Sequence, residues 1–131
     1  MKKSIQNRIV VVEDNPSFRK MIKMRLESSG YQVIAIADGL TGLDTIRKEK
    51  PDIVILDIML PRLDGHKVCR MIKFDKNLHT IPVIILTSRD TDETADLAKR
   101  CGADAFLLKA TKAPIVLDVI EKLIARKSSD Q

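Results

Sequence analysis

PDIVILDIMLPRLDG, residues 51–65, decides the fold. Ile53, Val54, Ile55 and Leu56 follow one another without a polar break. A run that short and that apolar reads as a strand buried on both faces of a sheet. The run then meets Asp57. A carboxylate at the end of a buried strand is expensive unless a charge or a set of hydrogen bonds meets it. Pro61, Asp64 and Gly65 come directly afterwards, the residues of a loop that leads into a helix.

The same kind of run recurs along the chain as RIVVVE (8–13), YQVIAIA (31–37), DIVILD (52–57), PVIILT (82–87) and DAFLLK (104–109). Helical periodicity fills the gaps. Phe18, Met21, Ile22, Arg25 and Leu26 recur at steps of three and four, as do Val68, Met71 and Ile72, and Val116, Val119, Ile120, Leu123 and Ile124. Asn15-Pro16, Asp38-Gly39, Asp64-Gly65, Asp90 to Glu93 and Thr111 stand where strands give way to helices. Their side chains suit the free amides of a first turn, and Asp90 with Glu93 has the spacing of a capping box. Gly30, Gly102 and Pro51 stand where the preceding helices should stop. Alternation of strand and helix predicts an α/β fold, a doubly wound parallel sheet with helices on both faces. One domain is expected over residues 1–131, with loose ends near 1–7 and 127–131 and nothing appended.

The bulk numbers agree. The 131 residues are 44% apolar and 31% charged, with no Trp, so Ile, Leu, Val and Met must fill the core. No run has the length of a membrane span, and the apolar start is short and ends on Glu13-Asp14, so no export signal is expected. Cys69 and Cys101 fit no metal spacing and read as two reduced, buried thiols, which points to the cytoplasm. The net charge of +5 gathers in FRKMIKMR and EKLIARK, which read as solvated helix faces. Without interleaved aromatics or a nucleic-acid motif, direct nucleic-acid binding is not expected.

Ligands of such sheets bind beyond the carboxyl ends of the strands. Those ends carry Glu13-Asp14, Asp57, Thr87-Ser88 and Lys109, while Asp38 reads as a helix cap. If the first and third strands are neighbours, three carboxylates converge, and a bound cation is the simplest way to keep them ionised. Oxygen ligands alone select a hard ion, and Mg²⁺ is commonly held by carboxylates and water. Thr87 and Lys109 add a hydroxyl and an ammonium on the opposite side. This is equipment for phosphoryl transfer, with Asp57 as the candidate nucleophile.

Taken together, Glu13-Asp14, LDIMLPRLDG (56–65), Thr87-Ser88 and Phe106 ahead of Lys109 closely resemble the receiver domain of bacterial two-component response regulators. The resemblance implies a flavodoxin-like (βα)5 fold with strand order 2-1-3-4-5. It implies that Asp57 accepts a phosphoryl group from a sensor histidine kinase or a phosphotransfer protein. Mg²⁺ would be held by Glu13, Asp14, Asp57 and the backbone carbonyl of Met59. Pro61 and Gly65 would shape the loop, and Ser88 would be small beside the phosphoryl group. Thr87 and Phe106 would act as the switch, with the fourth helix, fifth strand and fifth helix (α4-β5-α5) as the surface read by an unknown output protein. A monomer or weak dimer is expected; the chain resembles the stand-alone regulators of chemotaxis or phosphorelays and equally a receiver cut from a longer protein, for which KSSDQ would start a linker.

Two departures from the family pattern matter. Ala110 replaces the usual proline after the lysine, leaving the Lys109–Ala110 bond either cis or trans. Met59 and Arg89 flank the path of a hydrolytic water, and apolar Met59 cannot orient it, so self-dephosphorylation is expected to be slow. The chain is therefore expected to catalyse its own phosphorylation without being a conventional multiple-turnover enzyme. Two other readings stay open: a receiver-like interaction domain that is never phosphorylated, and an Mg²⁺-dependent phosphatase. The second lacks the further Asp that such enzymes carry where Met59 stands. A flavin-binding protein of the same fold would need a first loop rich in Ser, Thr and Gly, and this one is acidic.

Overall fold

The computed structural model describes residues 6–129. Five strands and five helices alternate: β1 (Arg8–Val12), α1 (Pro16–Ser28), β2 (Gln32–Ile36), α2 (Gly39–Glu49), β3 (Ile53–Leu56), α3 (Gly65–Lys73), β4 (Val83–Thr87), α4 (Asp92–Arg100), β5 (Ala105–Leu108) and α5 (Ala113–Ser129). All pairings are parallel. The strand order is β2-β1-β3-β4-β5, the flavodoxin-like order expected from the sequence.

The pleat divides the core in two. Val10, Val12, Val54, Leu56, Val83 and Ile85 face α2, α3 and α4, where Leu43, Ile46, Val68, Ile72 and Ala98 meet them. Ile9, Val11, Ile53, Ile55, Ile84 and Leu86 face α1 and α5, against Ile22, Leu26, Val116, Ile120 and Leu123. Each strand residue therefore chooses a layer by parity, and the central strands need apolar side chains at every position. Burying each such side chain contributes about 1.5–3 kcal/mol.

Helix ends follow local chemistry, with some differences from expectation. Asn15 and Asp38 cap α1 and α2, accepting the N–H of Phe18 (2.9 Å) and Thr41 (2.8 Å). The α4 cap is Thr91, whose hydroxyl accepts the Thr94 N–H (3.1 Å), rather than the Asp90–Glu93 box. Asp64 stands at the start of α3 without a side-chain cap bond. Gly30 (φ 98°) and Gly102 (φ 84°) take the left-handed turns after α1 and α4. Lys50, in the left-handed conformation, ends α2 ahead of Pro51.

The C-terminal end is more ordered than its composition implies. Residues 127–129, read from sequence as loose, continue α5 to Ser129. Leu123 anchors this last stretch in the core, and Arg126 reaches Asp104 (3.4 Å). At the other expected loose end, Gln6 and Asn7 are described, and the Asn7 carbonyl accepts the Gln32 N–H (3.0 Å); residues 1–5 and 130–131 lie outside the described residues.

Cys69 and Cys101 are both buried and free, as expected. They are also neighbours: the Cys69 thiol donates to the Cys101 carbonyl (3.5 Å), joining α3 to the end of α4. Among the described residues no helix is long and apolar enough to cross a membrane.

Candidate functional site

The register of β1, β3 and β4 brings the charged strand ends together. Val12 pairs with Leu56, and Leu56 with Ile85. Glu13 and Asp57 are therefore neighbours one step beyond the sheet, and the Asp57 N–H donates to the Val12 carbonyl (3.1 Å). Carboxylate oxygens of Glu13, Asp14 and Asp57 all lie within 4.8 Å of one another. Glu13 and Asp57 are buried, 2% and 6% exposed, while Asp14 faces solvent.

Lys109 answers two of these charges. Its Nζ is 2.8 Å from Glu13 Oε1 and 2.9 Å from Asp57 Oδ2. Its own N–H donates to the Thr87 carbonyl (2.8 Å), which fixes the backbone from which the ammonium reaches across. Burial pushes the Glu13 carboxyl up and the nearby Asp57 charge adds to this, while Lys109 and the Asn15 N–H only partly offset it. Burial pulls the Lys109 ammonium down, but its hydrogen bonds to Glu13 and Asp57 outweigh that, and the net shift is upward. The pocket thus holds a net negative charge with one cation to balance it, and all its anionic donors are oxygens. That donor set fits a hard divalent ion.

The loop after β3 is held close over the pocket. The Gly65 N–H donates to the Ile58 carbonyl (2.9 Å), and the Met59 N–H to Asp57 Oδ1 (3.3 Å). Met59 itself is 52% exposed. A Cβ on Gly65 would stand 1.8 Å from the Asp57 carbonyl oxygen and 2.9 Å from the Ile58 Cα, both backbone atoms that cannot turn aside. Gly65→Ala is therefore expected to displace the loop and lower stability by about 2 kcal/mol. A urea unfolding midpoint equal to that of the native protein would refute this.

The remaining predicted residues fall as follows. Thr87 ends β4, is 1% exposed, and accepts the Arg89 N–H at its hydroxyl (3.3 Å). Ser88 lies at the surface beside it. Phe106 is partly buried against the α2–α3–α4 side of the core, in a groove it shares with Ala95, Ala98, Lys99, Ala103 and Ala105. No described peptide bond is cis, so Lys109–Ala110 is trans.

Three residues of the site went unread in the sequence. Arg19 donates to the carbonyls of Glu13 (2.9 Å) and Asp14 (3.2 Å) and braces the first loop. Asn15, visible only as a cap, also donates its N–H to Glu13 Oε2 (3.0 Å). Phe18, visible only as an apolar helix position, places its ring 4.9 Å from the Lys109 ammonium.

Comparison with known proteins gives one answer. The model of the response regulator receiver domain matches residues 9–121. The transcriptional regulatory protein CseB of Streptomyces coelicolor is 36% identical over 121 residues, which take in 92% of this chain and 50% of that protein. The alkaline phosphatase synthesis transcriptional regulatory protein PhoP of Bacillus subtilis is 36% identical over 124 residues, 95% of this chain and 50% of that protein. The chain spans about half the length of these relatives. Among solved structures, the receiver domain of a sensor histidine kinase from Pseudomonas aeruginosa PAO1 superposes with a TM-score of 0.86 at 28% identity, covering 92% of this chain and 99% of that one. That structure holds a magnesium ion in its active-site cleft.

Proposed function

The chain belongs to the response regulator receiver domain family, and from that premise we propose that it relays a signal by accepting a phosphoryl group on Asp57. The observation that carries the proposal is the pocket itself: three carboxylates within 4.8 Å, two of them bridged by Lys109.

Glu13, Asp14, Asp57 and the Met59 carbonyl would hold Mg²⁺, which when bound screens charge on the phosphoryl oxygens. An Asp57 carboxylate oxygen attacks the phosphorus of a phosphohistidine on a sensor kinase or phosphotransfer protein. The P–N bond breaks, the imidazole leaves with its electron pair and takes a proton, and an acyl phosphate remains. Lys109 already lies within hydrogen-bond distance of Asp57, so its ammonium moves only a short way to a phosphoryl oxygen. The Thr87 hydroxyl donates to another of those oxygens. Thr87 moving inward frees space that Phe106 turns to fill, which alters the α4-β5-α5 surface read by the output partner. A partner is regulated only as far as it binds the two states differently.

The test is direct. The protein is incubated with acetyl phosphate and Mg²⁺ and weighed intact. A labile gain of one phosphoryl supports the proposal. Turnover of the donor without an adduct indicates a phosphatase, and no change indicates an interaction domain that is never phosphorylated.

The lifetime of the adduct is a second expectation. Exposed, apolar Met59 offers nothing to orient a water for attack on the phosphorus. Met59→Asn, which supplies an amide there, is expected to speed loss of the phosphoryl group several-fold. Decay of the native adduct as fast as that of the variant would count against this account of its persistence.

A further inference from the structure

We propose that Phe18 is a positioning residue for Lys109, a role that rests on the reading of Asp57 as phosphoacceptor. The ammonium is met from two directions. Glu13 Oε1 and Asp57 Oδ2 bind it at 2.8 and 2.9 Å. The Phe18 ring approaches it from α1, its centroid 4.9 Å from Nζ, within the range of a cation–π contact.

The ring is not placed by chance packing. Asn15 Oδ1 accepts the Phe18 N–H (2.9 Å), which fixes Phe18 in the first turn of α1. The Asn15 N–H donates to Glu13 Oε2 (3.0 Å), and the other oxygen of that carboxylate binds Lys109. Glu13, Asn15, Phe18 and Lys109 thus form a closed circuit of contacts. Phe18 and Lys109 also line a mostly apolar cleft between α1 and α5, with Leu86, Val116 and Leu117.

The circuit solves a specific problem. In the acceptor reaction Lys109 must release Asp57 and follow the new phosphoryl oxygens. A contact made only to carboxylates would hold it back or, once broken, leave the long side chain free to turn into solvent. The aromatic face attracts the cation without competing for its N–H donors. The ammonium therefore exchanges one oxygen partner for another while the ring holds it in place.

The experiment separates ring charge from ring volume. Phe18→Leu, Phe18→Tyr and replacement of Phe18 by 3,4,5-trifluorophenylalanine are compared with the native protein. The trifluoro ring keeps the shape but loses most of the negative face. Phosphorylation by acetyl phosphate with Mg²⁺ is expected to slow about fivefold in Phe18→Leu and in the trifluoro protein, and to stay near native in Phe18→Tyr. Thermal unfolding of each variant checks that the fold survives. A second readout needs neither metal nor donor: the ε-methylene protons of Lys109 should be shielded by the ring in the native NMR spectrum, less so in Phe18→Leu.

Native rates in the leucine and trifluoro proteins would overturn the proposal. So would slowing in Phe18→Leu alone, which would mark a packing effect, or unshielded Lys109 methylenes in the native protein. A native protein that takes up no phosphoryl group would instead remove the reading of Asp57, and this role with it.

Discussion

The Asp57→Asn protein is expected to gain no mass from acetyl phosphate and Mg²⁺ under conditions that load the native protein fully. The change replaces one oxygen by an amide of the same shape, so the buried position at the end of β3 is kept. An amide oxygen is a poor nucleophile, and no other carboxylate in the pocket replaces it. Glu13 is equally buried and, like Asp57, is bound by Lys109, but its second oxygen is held by the Asn15 N–H at 3.0 Å, more tightly than the second Asp57 oxygen is by the Met59 N–H at 3.3 Å. Asp14 is exposed and has no lysine beside it among the described ion pairs. The variant should also lose much of its response to metal, because one of three convergent carboxylates is gone. In the native protein, Mg²⁺ at a hundred times its dissociation constant should add about 2.7 kcal/mol of stability. A labile phosphoryl on Asp57→Asn would move the acceptor to another residue and undo the mechanism.

The strands were legible because their positions in the sheet leave little choice. β1, β3 and β4 are covered on both faces, so polar residues are confined to their ends, and the few that occur there mark the pocket. Glu13, Asp57 and Thr87 could be read for that reason, and Lys109 because it closes the apolar run of the edge strand β5. Helix ends were less legible because several residues at each junction can cap. Thr91, Asp90 and Asp92 are adjacent, and the backbone geometry alone selected Thr91. The polar end KSSDQ hid the last turn of α5, which is held by the Leu123 and Arg126 contacts rather than by its own composition. Contacts such as Phe18 with Lys109, Cys69 with Cys101, and Lys73 with Asp104 (2.9 Å) join residues distant in sequence. Nothing local announces them, since each residue also has an ordinary role on its own helix or strand.

Lys109→Ala should give the largest loss of stability, and the loss should depend on metal and pH. The Lys109 side chain is 16% exposed and sits against the side chains of Glu13 and Asp57, which are buried. Breaking a fully buried pair by removing one partner costs 3–5 kcal/mol. Lys109 keeps some solvent, so about 2–3 kcal/mol is expected here at neutral pH without divalent ions. Glu13 then faces Asp57 with no cation between them, and its pKa, already raised by burial, rises further. A carboxyl whose folded pKa lies above its unfolded value binds more protons when folded, so stability falls as pH rises through that interval. The deficit of the variant should therefore be greatest at neutral pH and shrink as pH falls toward 4.5, the ordinary value for Glu13. At the alkaline end the sign follows from the lysine. Its pKa is raised above 10.5, so its contribution is complete below that value and disappears as pH rises through the folded one. Mg²⁺ acts on the same carboxylates, so adding it at neutral pH should restore most of what Lys109→Ala removes. Equal denaturation midpoints for native and variant proteins at pH 7 without metal would mean that the two buried carboxylates do not need the ammonium.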